Sequence, residues 1–465
     1  MKTESELTVY KNTKSSFVDN TRFEPSPENR IIEREAFIRN EKYVPELKYP
    51  RLNFLFDDPV VEKQKSRIYE AVLQLDASKE NPGVNAAETE LYARSHEKSL
   101  KKLLIVEAAK NLYQSLPTST LETNRESFSK LNESLYGKLN TAYYLGIIST
   151  EKDRLNNFHP ESEVAKAIKT QLEELLGDVD SGDIKEEVLL DENEMRKLQN
   201  YVSSRYADVL NVVPNTPDDE YYDVNQCAEI MNNALEAGGL AQFGWKAIEN
   251  PKKLNPATNP TLTSIFLPSN LRRNSLELRR LIIHEQEVHA RRAQNGKETG
   301  IKPIKSGTAN YADAEEGFGV MLEAVLEGDF NNASFNRARN RYITAGLALG
   351  ADGQPRDARE VYEILWRTIA VQKSKDNMNI SEKNIQSAKN EAYSHIENAY
   401  RGTQFWMKGV IYTKLKVYYE GLARNAQYFK DNIDCLDQAF DDALIGKYNH
   451  TDASERQLVK SLVKV

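Results

Sequence analysis

Apolar residues recur at three- and four-residue spacing along most of this chain, the period of an amphipathic helix. Ile68, Val72 and Leu75 mark the apolar side of a helix opened by Asp57-Asp58-Pro59, where acidic residues and proline belong. A run over 86–116 carries Leu91, Leu103, Leu104, Ala108 and Leu112. Ser119-Thr120-Leu121-Glu122 reads as a capping box for a helix running past Leu131, Leu135, Leu139 and Tyr143. Residues 192–212 read as a further helix, and one from about Asp223 stops at Gly238-Gly239. The pattern changes over 211–270, where prolines interrupt it and 243–248 and 262–267 read as short strands. After 330 the chain is helical again. Residues 1–55 are dense in charge and punctuated by Pro25, Pro27, Pro45 and Pro50. They form either a flexible arm or one that wraps the body through Phe17, Phe23, Phe37, Tyr43, Leu47 and Tyr49. The expected fold is mainly α (α+β), with an arm (1–55), a helical N-terminal region (56–210) and a third unit (211–465) holding a small sheet.

That third unit contains His284-Glu285-Gln286-Glu287-Val288-His289, two of only six histidines in 465 residues. Leu278, Leu281 and Ile282 lead into it at helical spacing, Asn274 or Ser275 can cap the start, and Asn295-Gly296 supplies a stop. Two imidazoles with a glutamate after the first are the grammar of a zinc hydrolase helix. The spacing is one residue wider than in familiar zincins. At about 100° per residue, i and i+5 diverge by roughly 140°, so two ligands so placed require a local widening such as a π-bulge. Downstream, residues 310–323 predict a second helix with Phe318, Met321, Leu322 and Val325 on its apolar side. Gly317 follows Glu315-Glu316 inside it. Glycine costs about 1 kcal/mol against alanine in a helix interior, and it allows close approach of a neighbouring helix or a metal.

A similar Glu-Gly-Phe segment occurs in gluzincin aminopeptidases, where the glutamate before glycine is the third zinc ligand. His284-Glu285, His289, Arg292, Asn295 and Gly296, followed by Glu315-Glu316-Gly317-Phe318, resemble the HExxxH metallopeptidase family of the microtubule-associated tyrosine carboxypeptidases. That family also holds bacterial proteins with a QEGLA motif, labelled flavohaemoglobin-expression modulators. This chain has Phe318-Gly319 where the family usually has Leu-Ala. The resemblance covers about 240–450 and implies a zincin-like catalytic domain over 211–465. It implies that His284, His289 and Glu316 bind zinc and that Glu285 is the general base. Glu315 is the alternative third ligand, or a partner holding an imidazole N–H. Further likenesses are Arg341-Tyr342, the Arg401-Gly402 segment and Leu444-Ile445-Gly446-Lys447. A carboxypeptidase needs a cation for the substrate's terminal carboxylate; Arg401 is the first candidate and Arg341 the second. Tyr342, His395 or a later tyrosine is a candidate for stabilising the oxyanion. The segment 263–267 is a candidate edge strand for holding substrate backbone, or with 243–248 one of two buried core strands.

The net charge of −8, with no basic run, argues against nucleic acid as a partner and leaves a peptide or protein substrate. Cys227 and Cys435 have no metal spacing and suggest a reducing compartment. No apolar stretch has membrane-spanning length, and the first residues lack an apolar leader core. The expectation is a soluble, cytoplasmic protein. His96 and His159 stand alone in polar surroundings and read as exposed; His395 and His450 read as ordinary surface or core histidines. The alternatives are a non-catalytic helical interaction protein with a structural or relic metal site, and an aminopeptidase. The latter would use Glu287, Glu315 or Glu323 to bind the substrate amine.

Overall fold

A computed structural model describes residues 3–13, 25–50, 59–81, 83–114, 120–177, 184–187, 189–217, 219–330, 332–374 and 378–463. Helices dominate, and one three-stranded sheet is present among the described residues. No helix there is long and apolar enough to cross a membrane.

The largest apolar core runs from Phe37 to Leu444. It joins the N-terminal helices (Ala86–Gln114, Leu121–Tyr136, Thr141–Asn156) to those built from residues beyond 311. A second core, from Val209 to Ala293, lies between the sheet and the Val224–Ala237 helix. The segment bearing the two histidines is clamped between them. Ile283 and Val288 enter the first core, while Leu278, Ile282, Ala290 and Ala293 enter the second.

The described parts of the first 55 residues form helices Glu4–Lys11 and Pro27–Ile38. Phe37 is buried against Arg359, whose guanidinium lies 3.7 Å from the ring centroid. The same guanidinium donates to the carbonyls of Phe37 (2.8 Å), Lys42 (2.7 Å) and Tyr43 (3.1 Å). Phe17, Phe23, Asp57, Asp58 and Ser119 lie outside the described residues. His96 is buried, not exposed, because the first helix packs over it and brings the Tyr10 carbonyl to 3.0 Å.

Several boundaries differ from expectation. Thr120 makes no side-chain cap, and its helix stops at Gly137, whose φ of 74° ends it before a new helix opens at Thr141 with Asn140 as cap. Residues 192–212 divide at Tyr206 into Glu192–Arg205 and Ala207–Leu210. Gly296 does not stop its helix, which continues to Glu298. A Cβ at Gly296 would overlap the Ile304 backbone, so glycine serves close packing there.

The sheet has the order β1 (Lys246–Glu249), β3 (Ser264–Leu267), β2 (Ala257–Asn259). β1 runs parallel to β3, and β2 antiparallel to it. β3 is therefore the central strand and fully buried, which corrects its reading as an edge. The edge beside the histidines is β2. Residues 241–243 form a 3₁₀ turn rather than the start of a strand.

Candidate metal centre and active site

Asn274 caps the motif helix through a reciprocal box with Glu277. The helix is α over Ser275–Leu281, π over Ile282–Ala290, and α again over Arg291–Glu298. In a π-turn, residues five apart stack along one face. His284 and His289 accordingly face each other, with ring centroids 4.8 Å apart. The turn is held from outside by side chains. Thr258 on β2 donates to the Glu285 carbonyl at 2.9 Å, and Gln286 Nε2 donates to the Ala234 carbonyl at 2.8 Å.

Each imidazole is oriented through Nδ1 by a carboxylate, partly buried for Glu323 and fully buried for Glu315. His284 Nδ1 lies 2.5 Å from Glu323 Oε1, and His289 Nδ1 lies 2.8 Å from Glu315 Oε1. A metal-binding histidine characteristically donates its second ring nitrogen in this way, which fixes tautomer and ring orientation. Glu323 also accepts from Ser334, and Glu315 is bound by Lys447 at 2.8 Å. Glu316 Oε2 stands 4.0 Å from His289 Nε2. The carboxylate of Glu316 makes no hydrogen bond among the described residues. Burial would lower the His284 pKa, but the bond and charge of Glu323 outweigh it and lift the group to about 9. Burial would raise the Glu316 pKa, yet the charges of His289 and Lys414 hold it below the usual carboxylate range.

The Tyr311–Glu327 helix delivers three of these carboxylates. Glu316, Gly319 and Glu323 lie at i, i+3 and i+7, one face of the helix. Its two glycines serve approach. A Cβ on Gly317 would overlap the backbone of Gly421 on the Val417–Asp431 helix, and one on Gly319 would lie 2.7 Å from the His284 ring. Glycine 317 thus answers to a neighbouring helix, and 319 to an imidazole.

Glu285 is 8% exposed, and its Oε2 accepts from Thr258 Oγ1 at 2.7 Å. Donor atoms of His284, Glu285 and His289 all lie within 4.8 Å of one another. Imidazole, imidazole and carboxylate form a borderline donor set that suits zinc. The anchored Nδ1 atoms leave both Nε2 atoms available, so these residues fit such an ion.

Arg341, on the Ala333–Leu349 helix, and Arg401, the residue that ends the Glu382–Tyr400 helix, reach the same neighbourhood. Arg341 stacks on Tyr418 at 3.7 Å, and Arg401 donates to the Asn398 carbonyl at 3.1 Å. Burial and the positive charges of Arg401 and Arg341 lower the pKa of Lys414, against the pull of Glu316. Burial and the charge of Glu316 push the Tyr418 hydroxyl up to about 12. Tyr342 is turned away and fully buried. Its hydroxyl sits 2.8 Å from Glu420 Oε1 and 3.1 Å from the Asn140 carbonyl. The cause is helical geometry: neighbours differ by about 100°, so Arg341 toward the cleft puts Tyr342 in the core. His395 is buried with Nε2 3.8 Å from Glu391, and His450 is buried with Nε2 2.8 Å from Asn425 Oδ1.

Thr258, Glu323, Lys414 and Tyr418 were not singled out for these positions by sequence. Only Glu323 had a usable signal, its seven-residue offset from Glu316. The acidic cluster suggested for an aminopeptidase is committed elsewhere. Glu287 pairs with Arg291 at 3.0 Å, Glu315 with His289 and Lys447, and Glu323 with His284.

No curated protein matches the chain, and no solved structure does. The family model described as microtubule-associated tyrosine carboxypeptidase matches residues 181–461, which include the sheet, the π-turn, the Glu-Glu-Gly helix and the Lys447 turn. With more than half its length matched and the site lying inside the match, the chain belongs to the microtubule-associated tyrosine carboxypeptidase family.

Proposed function

We propose that this protein is a zinc-dependent carboxypeptidase acting on a peptide or protein substrate. The observation that carries the reading is the pair of carboxylates on the two Nδ1 atoms, which leaves both Nε2 atoms unspent, that of His289 4.0 Å from Glu316. His284, His289 and Glu316 would hold the ion. Bound there, zinc supplies Lewis acidity that polarises the scissile carbonyl and acidifies water.

The chain's own residues then divide the work. Glu285 removes a proton from the attacking water and returns it to the leaving amine. Thr258 fixes the Glu285 carboxylate through its hydroxyl. Tyr418, its pKa pushed up to about 12, stays protonated at neutral pH and offers an O–H to the developing oxyanion. Arg341, Arg401 and Lys414 form a cationic group for the substrate's terminal carboxylate. The free edge of β2 lies next to Glu285 and suits the substrate backbone. Both cysteines are free, in keeping with a cytoplasmic setting.

A second reading has one observation in its favour: Glu285 stands close enough to the histidines to close a four-ligand structural site. Its bond to Thr258 and the solvent exposure left to His284, His289 and Glu316 favour the open site instead. The test is zinc analysis of purified protein followed by hydrolysis of peptides with free and amidated C-termini. Cleavage confined to free C-termini is expected. Equal cleavage of both overturns the exopeptidase assignment, and bound zinc without cleavage of either favours the structural site.

A further inference from the structure

Three residues of the motif helix beyond His289 converge on one turn of chain near the C-terminus. Arg292, fully buried, donates through Nε to the Gly446 carbonyl at 2.9 Å and through Nη2 to the Tyr448 carbonyl at 2.5 Å. Asn295 Nδ2 donates to the Leu444 carbonyl at 2.8 Å. Gly296 and Gly446 pack backbone to backbone; a Cβ on Gly446 would come within 3.0 Å of the Gly296 Cα and collide with Ile304. Lys447 is pinned on both sides of its own backbone. Its N–H donates to the Ile304 carbonyl at 2.7 Å, and its carbonyl accepts from Thr308 N at 2.9 Å.

All this anchoring delivers one charged group. Lys447 Nζ lies 2.8 Å from Glu315 Oε1, the oxygen that also faces His289 Nδ1 at 2.8 Å. Arg292 reaches the other Glu315 oxygen only at 3.4 Å, its remaining donors being spent on carbonyls. We infer that Lys447 is a positioning residue: it fixes the Glu315 carboxylate against His289 and so sets the zinc affinity of the proposed site from a distant part of the chain. The inference rests on the zinc reading above. Without Lys447, Glu315 Oε1 keeps only the imidazole, and Arg292 at 3.4 Å on the other oxygen is the one cation left, so the carboxylate is held less firmly against His289.

The experiment measures zinc dissociation constants by competition with a chromogenic chelator for wild type, K447Q, K447R, K460Q, E315Q and E315Q/K447Q. Thermal unfolding of each variant shows that it folds. E315Q, which alters the direct partner of a ligand, is expected to bind zinc 10- to 100-fold more weakly, and K447Q, acting through Glu315, about 10-fold more weakly. K447R should recover most of that loss. K460Q, which removes an ion pair to Asp442 in the same part of the chain, should match wild type. E315Q/K447Q should match E315Q, because Lys447 acts only through Glu315. This pair also serves if K447Q does not fold, since the double variant does not leave the Glu315 charge buried without Lys447. The inference is overturned if K447Q binds zinc like wild type, or if the double variant binds more weakly than E315Q. If wild type itself takes up no zinc, the zinc reading fails and this inference with it.

Discussion

His284 Nδ1 and Glu323 Oε1 stand 2.5 Å apart, and this contact decides which ring nitrogen of His284 faces the cleft. Glu323 is in turn held by Ser334 and feels the charge of Arg280. Replacing Glu323 by Gln removes the charge while preserving an acceptor oxygen. E323Q should weaken zinc binding by about 10-fold and E323A by up to about 100-fold, read by chelator competition. Unchanged affinity in both would mean that the contact does not orient a ligand.

Glu285 and Thr258 form the second pair. E285Q should keep its zinc, seen by elemental analysis, and lose hydrolysis by roughly 10²- to 10⁴-fold, the usual worth of a general base. T258V removes the hydroxyl that holds the carboxylate and the Glu285 carbonyl. It should lower kcat more than it raises KM. If E285Q loses zinc together with activity, Glu285 is a ligand rather than a base.

The glycines of the Tyr311–Glu327 helix separate packing from chemistry. A methyl at 317 would meet the Gly421 backbone, which cannot yield. G317A should therefore lower the unfolding free energy by about 1–3 kcal/mol or more, the cost of overpacking. The atoms nearest a methyl at 319 are those of a side chain, the His284 ring. G319A should leave the melting temperature closer to wild type and weaken zinc binding. A larger stability loss in G319A than in G317A would reverse this ordering.

Arg341 and Tyr342 are sequence neighbours with separate fates. R341M and R401M should raise KM for peptides with a free C-terminus and leave C-terminal amides, if cleaved, unaffected. Y342F removes a hydroxyl from a buried contact with Glu420. It should cost about 1–2 kcal/mol of stability with little change in kcat. A loss of kcat in Y342F without loss of stability would return Tyr342 to the site.

The helical architecture and the widened turn were readable because both follow from periodicity. Histidines five apart have only a few ways to meet, and the π-turn is one. Gly317 signalled a close approach for the same reason, being costly in a helix without one. What failed to show has physical causes as well. β2 is three residues between Pro256 and Pro260, too short to display alternation. Gly296 looked like a stop because a glycine serving backbone contact and one ending a helix look alike in sequence. Lys414, in the 3₁₀ turn Thr413–Lys416, and Tyr418, in the Val417–Asp431 helix, reach the cleft from far along the chain, through tertiary packing that leaves no local pattern.

Lys102, on the Ala86–Gln114 helix, stands within reach of the Lys414 charge. Lys102 and Lys414 make no ion pair among the described residues. Burial and the nearby charge of Lys414 lower the Lys102 pKa from 10.5 to about 8. Between pH 8 and 10.5 the unfolded chain therefore binds more protons at this residue than the folded one, so stability rises with pH across that window. Below pH 8 the folded protein carries a charge it would rather lose. K102M should remove that rise. At pH 7 it should be more stable than wild type, by on the order of 2–3 kcal/mol from the size of the shift. Urea unfolding at pH 7 and pH 10 measures both effects, with wild type and variant converging at the higher pH. A K102M protein less stable than wild type at pH 7 would mean that Lys102 has a stabilising partner that outweighs its burial and the charge of Lys414.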